Sequence, residues 1–160
     1  MRYTALVGRC LFAIRLALVA SLIGFAWSNE VRAADSLYNR LGGQPVIDAF
    51  VADTIDQVAA NHRFNQSFEG TSLKRIRRLL AEQICDLTGG PCHYSGDTMR
   101  QVHAGHHISE AEFYGLVQIM RDAMIAHHVA LKERNELLAL LAPMKRDVVE
   151  GPAPPNSGGG

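Results

Sequence analysis

Three histidines stand close enough together to suggest chemistry. His103, His106 and His107 sit at offsets 0, 3 and 4, which brings three imidazoles near one face of a helix. Such a group could bind zinc, although it has no evident fourth ligand and Gly105 weakens the helix. Otherwise each is a surface histidine, a hydrogen-bonded core histidine or a lone metal ligand. Cys85 and Cys92 flank Gly89-Gly90-Pro91 with six residues between them. They are near enough to pair in an oxidising compartment, and are otherwise small buried residues. Lys74, Arg75, Arg77 and Arg78 form a basic cluster that suits a carboxylate partner or a solvated face. No nucleophilic triad or phosphate-binding loop supports a hydrolase or a nucleotide enzyme.

The elements that would position these residues are helical by period. Ile47, Phe50, Val51, Thr54, Ile55 and Val58 mark one face of a helix with Pro45 in its first turn. Leu73, Ile76, Leu80, Ile84 and Leu87 mark a second helix, stopped by Gly89-Gly90-Pro91. Residues 91–98 are rich in turn formers, and a short helix is expected near 98–105. Ser109 and Glu112 have capping-box spacing and open a helix carrying Phe113, Leu116, Val117, Met120 and Met124. That helix ends near His127-His128. Leu137, Leu138, Leu141, Met144 and Val148 mark the last helix, which Pro143 should kink or shorten. No segment alternates with period two, so the fold class is all-α, with five or six helices expected.

The 160 residues suffice for one domain, and a hydrophobic fraction of 48% supports a packed core. Equal numbers of basic and acidic residues, 16 of each, argue against a nucleic-acid partner. The N-terminus has the form of an export signal. Arg2 and Arg9 precede the uncharged, largely apolar run 16–27, and Val31-Arg32-Ala33 fits a cleavage site. The run is short for a membrane span, which needs roughly 20 apolar residues. Residues 1–33 are therefore expected to be a signal peptide, or an anchor if left uncleaved. Its removal leaves 12 basic against 15 acidic residues, a net charge of −3. The expected location is the periplasm, with no stable membrane association after cleavage. Export would oxidise Cys85 and Cys92 to a disulfide tying the second helix to the following loop. Residues 34–150 form the expected domain, and 151–160, rich in Gly and Pro, a flexible tail.

Several pieces then fall in order. They are Leu37-Tyr38-Asn39-Arg40-Leu41-Gly42-Gly43, Phe64-Asn65-Gln66-Ser67-Phe68, Gly89-Gly90-Pro91, Tyr94-Ser95-Gly96 and Met99-Arg100-Gln101-Val102-His103. With the stretch 108–113 they make residues 37–149 resemble a group 1 truncated haemoglobin of the bacterial type. The resemblance implies a truncated globin fold, a two-over-two helical sandwich around one haem b (iron protoporphyrin IX). It implies His103 as the iron ligand, Phe68 packed on the haem face and Met99 as a contact on the histidine side. Tyr94 and the basic cluster, Arg77 among it, would lie nearest the haem propionates. His106, His107, His62, His93, His127 and His128 would then be solvent-side residues.

The chain departs from the family where the bound gas would lie. Many relatives carry a tyrosine where this chain has Ile55, beside Thr54. Positions that often hold glutamine or histidine are Ile76, Leu79 and Leu80; a histidine at Leu79 would bind iron as a sixth ligand. A missing hydrogen-bond donor costs bound oxygen about 1–3 kcal/mol, a tenfold to hundredfold loss of affinity. The resemblance thus implies a haem protein that binds O2, CO or NO reversibly at a five-coordinate iron in an apolar pocket. Its role would be oxygen binding, oxygen transport or NO detoxification. Gln83, one turn after Leu80, would restore a donor if it pointed inward, and Thr54 more weakly so. Nitric oxide dioxygenase turnover would need a separate reductase. The alternative is haem-based electron transfer or redox sensing with a Cys85–Cys92 disulfide.

Overall fold

The computed structural model describes residues 36–62, 64, 68 and 70–150. The expected signal peptide and tail lie outside the described residues. Every regular element among the described residues is helical, as the period predicted. α1 is Leu37–Arg40, α2 Gly43–Ala60, α3 Leu73–Leu87, α4 Met99–His103, α5 Glu110–Ala126, α6 Leu131–Leu141 and α7 Lys145–Val148, with a 3-10 turn Ala142–Met144 between the last two.

Seven α-helices among the described residues exceed the five or six expected, for two reasons. Pro143 lies in the 3-10 turn and divides the last helix there, because it offers no amide hydrogen to continue the α ladder. Leu37–Arg40 also closes a single turn, which has too few residues to show a period.

Side-chain caps set three helix starts. Ser72 accepts from the Arg75 amide at the start of α3. The Ser109–Glu112 box forms at α5, and a second box, Thr98–Gln101, starts α4. Each such cap stabilises its helix by about 1 kcal/mol. α2 is the central element and packs on both α3 and α5. Its buried face is Ile47, Phe50, Val51, Thr54, Ile55 and Val58, the face marked by the sequence period. This face meets Ala81 and Ile84 of α3, and Met120, Ala123 and Met124 of α5, with Leu137 of α6 completing the core. Burying each large apolar side chain contributes about 1.5–3 kcal/mol. Leu87 departs from its expected face: it stands at the last position of α3 and is 38% exposed.

The stop after α3 is tightly built. The Gly90 amide donates to the Cys85 carbonyl at 2.8 Å. A Cβ on Gly90 would come within 2.5 Å of Cys85 Sγ and 2.6 Å of the Tyr38 ring, so only glycine fits. The expected Cys85–Cys92 disulfide is formed there, with Cα atoms 5.8 Å apart.

Candidate functional site

A cavity of about 360 Å3 lies between α3, α4, α5 and the chain's last turns, within the roughly 300–1,000 Å3 typical of small-molecule sites. α3 contributes Arg75, Ile76, Leu79, Leu80 and Gln83, and α2 contributes Ile55. α4 supplies Met99, Val102 and His103. α5 supplies Phe113, Leu116, Val117 and Met120. Leu138, Leu141, Met144 and Val148 close the back, while Phe68, Thr71, Tyr94, His106 and Ile108 come from connecting segments.

Helical geometry explains which residues arrive. Ile76, Leu79, Leu80 and Gln83 recur at offsets of 3 and 4, so they share one stripe of α3. On α4, Met99, Val102 and His103 share a stripe in the same way, and the Thr98–Gln101 box starts that short helix. Of the residues expected at the cofactor, the cavity gathers His103, Phe68, Met99, Tyr94, Ile55, Ile76 and Leu80. Arg77 is not on the lining: it faces Asp56 of α2 and donates to that carboxylate. Arg75, two residues earlier and so on the opposite side of the helix, lines the cavity instead. It has no carboxylate partner among the described residues.

His103 is half-buried. Its Nδ1 lies 2.7 Å from the Met99 carbonyl. A carbonyl only accepts, so Nδ1 carries the hydrogen and Nε2 is left with its lone pair free. Burial pushes the imidazole below its ordinary pKa and His106 adds to this, while the Met99 bond and Glu150 oppose it. The ring is therefore held toward its neutral, ligating form. His106 lies at the cavity rim although exposed, and the His107 ring faces Glu150. His103, His106 and His107 do not converge: among the described residues no three His, Cys, Asp or Glu side chains are placed to hold a metal ion. His62, His93 and His128 are exposed; His127 is half-buried and bonded to Asp53 at 2.7 Å.

Tyr94 is fixed at both ends. Its amide donates to Asp86 and its hydroxyl donates to the Asp97 carbonyl at 2.9 Å. Burial raises the phenol's pKa, with Asp97 and Glu82 adding to the effect. The neighbouring Ser95 donates from both amide and hydroxyl to Glu82, which holds that carboxyl below its usual range. The Tyr94 loop is thus tied to α3 by the disulfide and by two carboxylates.

The two proposed donors behave differently. Thr54 is fully buried but off the lining, and its hydroxyl donates to the Phe50 carbonyl at 2.6 Å. Gln83 is on the lining and only 8% exposed. Its amide nitrogen reaches no better acceptor than the Met144 sulfur at 3.6 Å. Thr71, Val102, Leu138, Leu141, Met144 and Val148 had not been anticipated as lining residues. The apolar period of the last helix signals the last four, whereas nothing in the sequence signals Thr71.

A haem group suits this lining. Its walls are apolar, one neutral imidazole has a free lone pair, and an arginine without a carboxylate partner among the described residues stands at the margin.

The comparisons with known proteins agree with this geometry. Residues 36–150 match the bacterial-like globin family. The chain is similar to a group 1 truncated hemoglobin, GlbN, of Mycolicibacterium paratuberculosis, 30% identical over 74% of this chain and 87% of that protein. Among solved structures it is similar to the truncated hemoglobin of Tetrahymena pyriformis in its Fe(III) form, with a TM-score of 0.68 and 23% identity over 72% of this chain and 98% of that one. The 2/2 hemoglobin of Synechococcus sp. PCC 7002, in the cyanomet state with covalently attached heme, aligns with a TM-score of 0.66 and 21% identity over 71% of this chain and 98% of that one. These two share the fold. The chain belongs to the bacterial-like globin family, as a truncated globin of the group 1 kind, whose members bind haem and, through it, diatomic gases.

Proposed function

We infer that this protein binds a diatomic gas reversibly at the five-coordinate iron of a haem b. The observation that carries the reading is His103: a half-buried imidazole on an apolar cavity, with Nδ1 committed to Met99 and Nε2 free. Haem supplies an iron atom with one position for this histidine and another for a gas. The chain supplies the rest. His103 would hold the iron, Phe68 and Met99 would pack against the flat ring, and the apolar walls would exclude water. Arg75 and Tyr94, on the lining, would meet its carboxylates; Arg77, engaged with Asp56, would not.

Ile55, Ile76, Leu79 and Leu80 give the gas no hydrogen-bond donor, and the Thr54 hydroxyl is spent on the backbone. Oxygen gains more from a donor than carbon monoxide does, so oxygen is released quickly and CO or NO is favoured. Gln83 is the one side-chain amide on this lining among the described residues. Its amide nitrogen lies against the Met144 sulfur, and on this reading it keeps that partner when the gas binds. Stopped-flow oxygen release from the haem-loaded protein tests this reading. Fast release, unchanged in Gln83→Leu, supports it; slow release that Gln83→Leu accelerates overturns the apolar-pocket assignment.

Oxygen binding or transport and NO detoxification both suit such a site, and nitrate formation with turnover would separate them. Turnover requires electrons from a separate reductase. Redox sensing is a second reading, favoured by the Cys85–Cys92 disulfide beside the cavity-lining α3. It requires the haem potential to shift when the disulfide is reduced. Export to the periplasm belongs to the same proposal. It is supported by the apolar run 16–27 with its cleavage site, and a disulfide suits an oxidising compartment. A mature protein beginning at Met1 in the cytoplasmic fraction would contradict it.

A further inference from the structure

His103 lies on a five-residue helix that has no buried residue of its own. Packing alone therefore does little to hold it. Beyond the Thr98–Gln101 box at its start, the polar contacts that do so come from the other end of the described chain. The Glu150 carboxylate accepts from the Gly105 amide at 2.9 and 3.0 Å and from the His107 amide at 3.1 Å. Its own amide donates to the Ile108 carbonyl at 3.1 Å. One residue thus binds both edges of the connection that ends α4.

That connection needs holding. Gly105 has φ +79°, and His107 has φ +51° in the left-handed region, which a side-chain-bearing residue keeps only when its surroundings hold it there. Within it the His106 amide donates to the His103 carbonyl at 3.1 Å, so the turn closes on the histidine itself. A second tie, Arg100 to Asp147 at 2.6 Å, also joins α4 to α7. It involves a largely exposed arginine, and such pairs contribute little. A carboxylate accepting backbone amides makes the stronger, charge-assisted bonds. Those bonds are also what hold the Glu150 carboxyl below its usual range.

We propose that Glu150 is a positioning residue: by clamping the Gly105–His107 turn it sets how the His103 imidazole meets the haem iron. The role rests on the gas-binding reading above. The test compares wild type, Glu150→Ala and the milder Glu150→Gln in the haem-loaded protein. It uses three readouts: the ferrous iron–histidine stretching frequency by resonance Raman, haem transfer to a scavenger protein, and amide exchange at residues 104–108. In Glu150→Ala the exchange and the haem transfer rise about tenfold, the effect of losing a charge-assisted bond. The iron–histidine band shifts or broadens as well. Glu150→Gln keeps an amide oxygen as acceptor and recovers part of each effect. Exchange at wild-type rates in Glu150→Ala overturns the clamp. Faster exchange with an unmoved iron–histidine band reduces Glu150 to a structural tie and overturns its role toward iron. A wild-type chain that takes up no haem overturns the gas-binding reading and that role together, while the exchange data still decide whether the clamp exists.

Discussion

α3 is fifteen residues long, with Ala81, Gln83, Ile84 and Cys85 buried and a disulfide at its end; α4 is five residues long, none of them buried. The two face one cavity, yet only α3 is anchored by the core. It lies along α2, and Glu82 and Asp86 fasten the following loop to it. α4 depends on a capping box at its start and on Asp147 and Glu150 beyond it. The difference teaches that the rigid wall carries the apolar side chains that shape the cavity, while His103, the proposed iron ligand, stands on the wall that polar contacts hold. Small changes in those contacts reach His103 without passing through the core.

Removing His103 breaks the comparison most severely. His103→Ala is expected to speed haem loss by more than about a hundredfold, since even supporting residues of metal sites cost 10–100-fold. The fold should survive, because the ring is outside the main core; circular dichroism and haem transfer check both halves. Next come the two walls themselves. Ile84→Ala, at a fully buried position of α3, should cost about 2–5 kcal/mol in urea unfolding. Val102→Ala on α4, already 38% exposed, should cost well under half of that. Equal costs would erase the distinction.

The disulfide gives a smaller effect on α3. Reducing it should lower stability by about 2 kcal/mol through the freed loop, as read by urea midpoints with and without reductant. The iron–histidine band should stay in place, because α4 is held elsewhere. Acid gives the smallest and most selective effect. Glu150 and Asp147 have folded pKa values below 4.5 and 3.8, through bonds from the Gly105 amide and from Arg100 respectively. The folded state therefore binds fewer protons than the unfolded one over that range. Their contribution is complete above about pH 4.5, the unfolded glutamate value, and is lost as pH falls through the folded values. Haem release should accelerate below pH 4.5, and Glu150→Gln should flatten that dependence. His106 and His107 of the same turn face Glu150, so the variant must be read against wild type across the whole range.

Much of this division was legible in the sequence. Long helices announce themselves by period, so α2, α3 and α5, and with them the apolar walls, followed from residues such as Ile47, Ile76 and Met120. A lone histidine has no such signature, and His103 stood out through the motif around Met99. Arg77 shows where the reading stopped. A run of four basic residues over two turns does not reveal which of them turns inward, and two positions along a helix exchange the cavity for α2. Glu150 lay deeper still. It acts through backbone amides 43–45 residues away, and backbone acceptors leave no trace in residue types.

The absorption spectrum of the haem-loaded protein beside its His103→Ala variant, ferrous and then with carbon monoxide, tests the central claim most directly. The account predicts a five-coordinate ferrous spectrum in wild type that converts fully with carbon monoxide, and loss of that spectrum in the variant. A six-coordinate ferrous wild type, or a variant indistinguishable from it, would contradict the assignment of His103 as the one protein ligand in an open, apolar site.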